Sequence, residues 1–194
     1  LETRHSLQEL HLMTLDEHTP SNLFQELLTP LMNGFDVGLL SEAGCPAVAD
    51  PGADLIRLAH QKNISVVPLV GPSSILLALM ASGLNGQCFA FHGYLPIEGS
   101  LRAKNICELE KLSNELKQTQ IFIEAPYRNQ KLFDDLVRVC SDTTDLCIAS
   151  HLTAATEMIA TKSIREWRGN LLNINKIPTI FLLLAHSHTI RKYS

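Results

Sequence analysis

Short apolar runs and amphipathic segments alternate along the first half of the chain. Residues 37–40 form an apolar run that predicts a buried strand, and residues 64–70, which are rich in valine and isoleucine, predict another. The leucines and isoleucine that follow Asp50 have helical spacing, and residues 75–82 are apolar nearly all round, which predicts a buried helix. Strand, loop and helix repeated in this way are typical of a parallel sheet.

The start of the chain fits the same pattern. Residues 10–15 alternate loosely and predict a strand, after which residues 19–21 resemble the entrance to a helix with leucines and a phenylalanine on one face. Asn33 and Gly34 carry the stop signal for that helix.

The pattern changes after an aromatic strand at residues 89–95, where Pro96 marks a predicted domain boundary. We therefore expect an N-terminal domain at residues 1–95, a C-terminal domain at 96–185 and a tail at 186–194. The C-terminal domain is predicted to contain helices at 102–117 and 129–140 and strands at 120–124, 146–150, about 157–161 and 179–184.

Composition limits the classes of partner. Hydrophobic residues make up 45% of the chain and charged residues 19%, as in ordinary globular proteins. A net charge of −4 provides no general field for a polyanion, so any contact with nucleic acid has to be local or shared with a partner subunit. The apolar runs are far shorter than the roughly 20 residues of a membrane span. Five cysteines without the spacing of a zinc site predict buried thiols in a reducing compartment, hence the cytoplasm.

The loop at residues 38–52 is the first candidate binding feature. Gly44 is free to adopt positive φ and lets a ligand approach the backbone, while Asp50 and Pro51 are the predicted N-cap and first residue of a helix. A strand, a small-residue loop and a capped helix are typical of ligand sites in open α/β sheets. Ordinary βα turns use the same residues, so this interpretation stays open from the pattern alone.

Other candidates follow predicted strands. Glu124 ends a buried strand, and Arg128 is placed to pair with it or to bind an anion, although an ordinary strand-end ion pair explains both residues equally well. His92 and His151 are loop or core histidines more often than acids or bases. Ser73 and Ser74 either donate hydroxyls to a ligand or satisfy the start of the following helix. Signatures of serine hydrolases, zinc enzymes, P-loops and classical dinucleotide sites are absent from the sequence.

Four motifs in order carry a family resemblance: residues 41–52 (SEAGCPAVADPG), 67–74 (VPLVGPSS), 91–96 (FHGYLP) and 124–128 (EAPYR). Together they resemble the tetrapyrrole methylase superfamily of S-adenosylmethionine-dependent methyltransferases. The chain looks most like the branch that methylates a cytidine 2′-hydroxyl of small-subunit ribosomal RNA. The matching region covers roughly residues 10 to 185.

This resemblance implies two α/β domains, with a parallel sheet in the first and a mixed sheet in the second. It also implies S-adenosylmethionine in the cleft between them, a homodimer and ribosomal RNA or the small ribosomal subunit as substrate. Glu124 is the candidate base or orienting residue for the attacking hydroxyl. The cofactor-binding residues that the motifs imply are Ser41, Glu42, Ala43, Gly44, Val48, Ala49, Asp50, Ser73, Ser74, Glu124, Ala125, Ala149, Ser150, His151, Pro178 and Thr179.

The sequence departs from the family pattern in two respects. It begins past the first strand and cofactor loop of the family, and it is acidic and ends soon after its last predicted strand. Two alternatives therefore accompany ribosomal RNA methylation: methylation of a small molecule such as a tetrapyrrole, and a truncated, inactive cofactor-binding module.

Overall fold

The computed structural model describes residues 10–186, which fall into two compact units, residues 10–72 and residues 73–186. The first unit contains helices α1 and α2, and the second contains one five-stranded sheet and four helices. In chain order the elements are α1 (Leu23–Met32), α2 (Ala53–Gln61), α3 (Ser74–Ser82), β1 (Phe89–Tyr94), α4 (Gly99–Leu116), β2 (Thr119–Ile123), a 3-10 turn (Pro126–Arg128), α5 (Asn129–Val139), β3 (Asp145–Ser150), β4 (Met158–Ser163), α6 (Ile164–Arg168) and β5 (Thr179–Leu184).

The first unit has a small helical core. Leu27 and Leu28 of α1 pack with Leu55 and Ala59 of α2, so the predicted apolar faces of both helices are confirmed. Burial of these four side chains is the main driving force that holds the two helices together.

The predicted strands of this unit, and with them the expected parallel sheet, are absent from its described residues. Residues 10–15, 37–40 and 64–70 form no strand ladder, and Val67 and Val70 are exposed. A strand exists only when its backbone groups bond to a neighbour, and a β-branched, apolar run supplies a suitable surface but not that neighbour. The α/β class itself is confirmed by the second unit.

The start of α2 also differs from the prediction. Gly52 is the N-cap at φ +133°, and Ala53 is the first helical residue. Asp50 and Pro51 lie before the helix, because the Pro51 carbonyl accepts a hydrogen bond from the Ala47 amide at 3.3 Å and so belongs to the loop. The positive φ favours glycine at this position, and a Cβ there would lie 2.7 Å from Leu39 Cδ2, so the Leu39 side chain would have to shift.

The sheet of the second unit has the strand order β1-β2-β5-β3-β4. β1 and β2 are parallel, and the three other pairs are antiparallel, which confirms the mixed sheet expected for the C-terminal half. β1 belongs to this sheet although residues 1–95 were predicted as one domain; the domain limits themselves remain a prediction.

Helices cover both faces of this sheet. On one face Ala78 and Leu79 of α3 pack with Cys147 and Leu182 of the central strands. On the other face α4, α5 and α6 enclose the larger core, in which the Trp167 indole donates to the Leu146 carbonyl at 2.8 Å. The prediction that α3 is buried all round was only half right, because Leu76 and Met80 are 50% and 80% exposed.

A buried ion pair fixes the segment that follows β1. Arg102 of α4 is 2% exposed and donates through Nε and Nη2 to Asp135 Oδ2, at 2.9 and 2.5 Å. Its Nη1 donates to the carbonyls of Pro96 and Ile97, at 3.2 and 2.7 Å. One guanidinium thus joins α4, α5 and the β1–α4 loop, and all of its described partners are oxygen acceptors, as a buried cation requires.

The five cysteines are all free thiols, as predicted, but they differ in burial. Cys140 and Cys147 are buried, and desolvation raises the pKa of both thiols. Cys107 is exposed and Cys45 and Cys88 are half-buried, contrary to the expectation of five buried thiols. An amphipathic helix tolerates a thiol on its solvated face as well as in its core, so composition alone does not separate the two cases.

We expect a thiol reagent to modify Cys107 in the native protein and to leave Cys140 and Cys147 unmodified until the protein unfolds. The thiolate is the reactive species, and burial suppresses both its formation and its access to the reagent. Mass spectrometry of peptides after brief alkylation measures this directly. Labelling of Cys140 as fast as that of Cys107 in native conditions would contradict the described core.

Within residues 10–186, no helix is long and apolar enough to cross a membrane. The same part of the chain contains no group of three or more histidine, cysteine or carboxylate residues arranged to hold a metal ion.

Candidate functional site

Five strand ends meet at one edge of the sheet. Ile123 at the end of β2 pairs with Tyr94 of β1 and with Ile180 of β5, and Ser150 at the end of β3 pairs with Thr179. We call this edge the strand-end edge and define it by Tyr94, Glu124, Ser150, Met158 and Thr179. Seven candidate site residues were predicted after residue 100, and each either belongs to the strand-end edge or is adjacent in sequence to a residue of that edge. They are Glu124, Ala125, Ala149, Ser150, His151, Pro178 and Thr179.

The backbone at this edge is held in a defined shape. His151 has φ +51°, its amide donates to the Pro178 carbonyl at 3.1 Å, and its own carbonyl accepts from Ala154 at 2.9 Å. The Thr179 hydroxyl donates to the Ile177 carbonyl at 2.9 Å. A non-glycine residue at positive φ costs free energy and persists where its surroundings fix it, so the turn at His151 is a specific feature of this edge.

Glu124 is buried and bound from three directions. Its Oε1 accepts from Arg128 Nε at 2.9 Å, from Arg128 Nη2 at 2.6 Å and from the Ala125 amide at 2.7 Å. The Glu124 side chain is 1% exposed and that of Arg128 is 23% exposed. Hydrogen bonding to Glu124 raises the pKa of Arg128 above its ordinary value, and interactions with Tyr127 and Tyr94 act in the same direction. The predicted pairing of Glu124 with Arg128 is therefore confirmed, while a direct chemical role of Glu124 stays a prediction.

Asn129 is a residue of this region that the sequence reasoning missed. It is fully buried, its Nδ2 donates to the Ile177 carbonyl at 2.5 Å, and its Oδ1 has no hydrogen-bond partner. The Lys176 amide donates to the Pro126 carbonyl at 2.8 Å, and the Ile174 amide donates to Gln130 Oε1 at 3.1 Å. These three bonds hold the segment before β5 against the 3-10 turn and the start of α5. Asparagine directly after the EAPYR motif was the only available signal, and it does not reveal a partner 48 residues away.

The candidate residues of the first unit lie in an open loop. Gly44 has φ +80°, as predicted, and no atom lies within 4 Å of the position its Cβ would take. Ala49 also has positive φ, and the Ser41 hydroxyl donates to the Ala43 carbonyl at 2.9 Å. The members of the set that are exposed are Glu42, Ala43, Gly44, Val48 and Ala49, whereas Ser41 and Asp50 are half-buried.

The structure also describes the surroundings of Cys45, Ser73 and His92. Cys45 Sγ lies 3.5 Å from the Pro72 carbonyl, which brings the SEAGCPAVADPG loop to the end of the VPLVGPSS motif. Ser73 is the N-cap of α3 but makes no capping bond through its hydroxyl, so the capping role predicted for it is wrong. Within β1, His92 Nε2 lies 2.6 Å from Gln120 Oε1, in agreement with its interpretation as a structural histidine.

Comparison with known proteins finds curated relatives with one shared name. No protein-family model matches the chain. The chain is 34% identical over 152 residues to ribosomal RNA small subunit methyltransferase I of Vibrio cholerae, covering 78% of this chain and 51% of that protein. It is 33% identical over 179 residues to the protein of the same name from Xylella fastidiosa, covering 89% of this chain and 64% of that protein. The chain is therefore similar to this methyltransferase family over most of its own length. It thus spans between about half and two thirds of the length of these relatives.

Solved methyltransferase structures show the same fold. The methyltransferase CobJ superposes with a TM-score of 0.57 at 15% identity, over 83% of this chain and 69% of CobJ. Uroporphyrin-III C-methyl transferase from Thermus thermophilus, in complex with S-adenosyl homocysteine, superposes with a TM-score of 0.50 at 14% identity. The superposition covers 84% of this chain and 73% of that protein. At this identity the likeness concerns fold alone. The tetrapyrrole methylase fold and the ribosomal RNA methyltransferase branch that the four motifs indicated are both confirmed.

Proposed function

We propose that the chain is an S-adenosylmethionine-dependent methyltransferase that transfers a methyl group to a cytidine 2′-hydroxyl of small-subunit ribosomal RNA. Identity above 30% to curated relatives of that name carries the proposal. Convergence of the seven predicted residues at the strand-end edge supports it independently, because ligands of α/β proteins bind beyond the ends of their strands.

The residues present fit the cofactor. The Gly44 loop offers open space beside its backbone, and the strand-end edge offers small and polar residues at Ala125, Ser150 and Thr179. A sulfonium, an amino acid group and an adenine need such backbone donors and acceptors together with limited steric bulk. We therefore propose that the sixteen residues implied by the motifs contact the cofactor. Those at positions 41–50 belong to the first compact unit, and the others belong to the second.

Positioning is the main contribution that the protein makes to methyl transfer. S-adenosylmethionine supplies an electrophilic methyl group, and the attacking hydroxyl has to lie in line with the bond that breaks. Glu124 is fixed by Arg128 and by the Ala125 amide, so its carboxylate has a defined place at the edge. We assign it the role of orienting this edge, because its Oε1 already accepts two hydrogen bonds from Arg128 and one from the Ala125 amide.

We expect Glu124→Gln and Arg128→Lys to reduce methyl transfer by similar factors of about ten, since each substitution weakens one fork-shaped pair. Single-turnover rates at saturating cofactor measure this effect. A general base contributes about 10² to 10⁴ in rate. A loss of that size in Glu124→Gln, with near-normal transfer by Arg128→Lys, would show that Glu124 removes the proton instead.

The proposed reaction is tested with tritium-labelled S-adenosylmethionine and small ribosomal subunits that lack the modification. We expect label in a cytidine that resists alkaline cleavage at its 3′ side, the property of a methylated 2′-hydroxyl. Label recovered on uroporphyrinogen instead of RNA would favour the tetrapyrrole alternative. Cofactor binding without transfer to either substrate would favour an inactive cofactor-binding module.

A cytoplasmic location and a homodimer belong to the same proposal. Ribosomal RNA is the substrate named for the relatives, and free thiols at all five cysteines suit a reducing compartment. Sedimentation at micromolar concentration tests the dimer, and a single monomeric species would reject it.

A further inference from the structure

Two large aromatic side chains stand exposed at the strand-end edge. Tyr94 ends β1 and is 60% exposed, and Tyr127 lies in the 3-10 turn after β2 and is 65% exposed. Tyr94 pairs with Ile123, which immediately precedes Glu124. We call Tyr94, Tyr127 and Arg128 the tyrosine surface.

Arg128 fixes one of these rings in place. Its guanidinium carbon lies 5.1 Å from the centre of the Tyr127 ring, and its Nη1 donates to the Tyr127 hydroxyl at 3.1 Å. The same guanidinium is bound to the buried Glu124. Tyr127 is therefore held by a chain of contacts that begins in the core, which lowers the entropy cost of binding a ligand against it.

The chemistry of this surface favours an unpaired nucleotide. Single-stranded RNA is bound by stacking of its bases on tyrosine rings and arginine planes, and this contact tolerates a protein of net negative charge. Arg128 is paired with Glu124, so this buried carboxylate presents no unbalanced negative charge beside the aromatic rings. With a net charge of −4, the chain has no general electrostatic attraction to replace such contacts.

We propose that Tyr94 and Tyr127 stack on unpaired nucleotides of the RNA substrate and so hold the acceptor strand beside the strand-end edge. This inference rests on the proposed function and adds to it the residues that bind the substrate. Arg128 acts as a positioning residue for Tyr127. Because stacking depends little on charge, the contribution of the two rings to RNA affinity persists in moderate salt.

Binding of a short, unstructured, cytidine-containing RNA oligonucleotide, followed by fluorescence anisotropy, tests the inference without requiring catalysis. We expect Tyr94→Ala and Tyr127→Ala each to weaken RNA binding about fivefold or more, the equivalent of about 1 kcal/mol per stacked base. Tyr94→Phe and Tyr127→Phe keep the ring and should bind within about twofold of the unsubstituted protein. The control is Leu116→Ala, an exposed residue at the end of α4, which should leave RNA affinity unchanged.

Cofactor affinity, measured by calorimetry in the same variants, separates this inference from the proposed function. Unchanged cofactor affinity with weakened RNA binding supports the tyrosine surface, even if the protein transfers no methyl group. RNA affinity equal in the alanine variants and the unsubstituted protein overturns it, as does an equal loss in the phenylalanine variants. Absence of RNA binding by the unsubstituted protein also overturns the inference. A change of oligomeric state in the alanine variants overturns it in favour of a protein partner at this surface.

Discussion

Asp135→Ala is expected to lower the free energy of unfolding by about 3 kcal/mol, because it leaves the Arg102 guanidinium buried without its counter-charge. Arg102 is 2% exposed, and the Asp135 side chain is 14% exposed. The remaining acceptors of Arg102 are neutral carbonyls of Pro96 and Ile97, which do not balance a buried cation. Urea denaturation followed by circular dichroism gives the change from the midpoint and slope.

Arg138→Ala is the matched control for this variant. Arg138 binds the other oxygen of the same carboxylate, Asp135 Oδ1, at 2.7 Å, but its side chain is 63% exposed. Solvent-exposed pairs contribute at most about 1 kcal/mol. A loss in Arg138→Ala as large as that in Asp135→Ala would contradict the assignment of the effect to the buried partner.

The effect of Asp135 also depends on pH with a defined sign. Burial alone would raise the pKa of Asp135, but hydrogen bonds from Arg138 and Arg102 more than compensate and hold it below its ordinary value of 3.8. The stabilising contribution of Asp135 is therefore complete at a pH above its pKa in the unfolded state. It is lost as the pH falls through its lower pKa in the folded state. We expect the stability difference between the unsubstituted protein and Asp135→Ala to be constant near neutrality and to shrink below about pH 4. A difference that grows on acidification would contradict this assignment.

Gly44→Val is expected to weaken binding of S-adenosylmethionine by more than about tenfold, because the new side chain occupies the open space beside the loop. Valine at φ +80° is also strained, so a loss of about 1 to 2 kcal/mol in stability accompanies the change. Calorimetric titration with the cofactor, at a temperature where the variant is folded, measures the affinity.

Gly34→Val separates the two effects of this substitution. Gly34 has φ +84° and, like Gly44, has no atom within 4 Å of its missing Cβ, but it lies after α1 and outside the SEAGCPAVADPG loop. The strain is therefore the same in both variants, whereas the cofactor affinity should fall only in Gly44→Val. Equal affinities in the two variants would show that the loop does not contact the cofactor.

The C-terminal half of the fold could be predicted closely because its local patterns and its partners lie in the same segment. β5 was predicted with its observed bounds, Thr179–Leu184, and the mixed sheet pairs it with β2 and β3. Residues 64–70 have an equally strong strand pattern yet form no strand within the described residues. Propensity shows that a segment suits a sheet, but ladder hydrogen bonds depend on a neighbour that the pattern does not specify.

The candidate site shows the same division. Glu124, Ser150 and Thr179 were found from strand ends and family motifs, and the register places them together. Asn129 and the exposure of Tyr94 could not be predicted, because each depends on contacts between segments far apart in sequence. Side-chain burial at the start of a helix or the end of a strand is decided by tertiary packing, which periodicity does not encode.

The central claim, which we propose, is that residues of the strand-end edge and, in the other unit, residues of the Gly44 loop contact S-adenosylmethionine. Titration of the isotopically labelled protein with the cofactor, followed by backbone amide chemical shifts, tests it most directly. We expect saturable shifts at Glu124, Ser150, His151 and Thr179 and in residues 41–50, with smaller changes elsewhere. No saturable shift at millimolar cofactor, or shifts confined to the opposite edge of the sheet around Glu110 and Thr144, would contradict the claim.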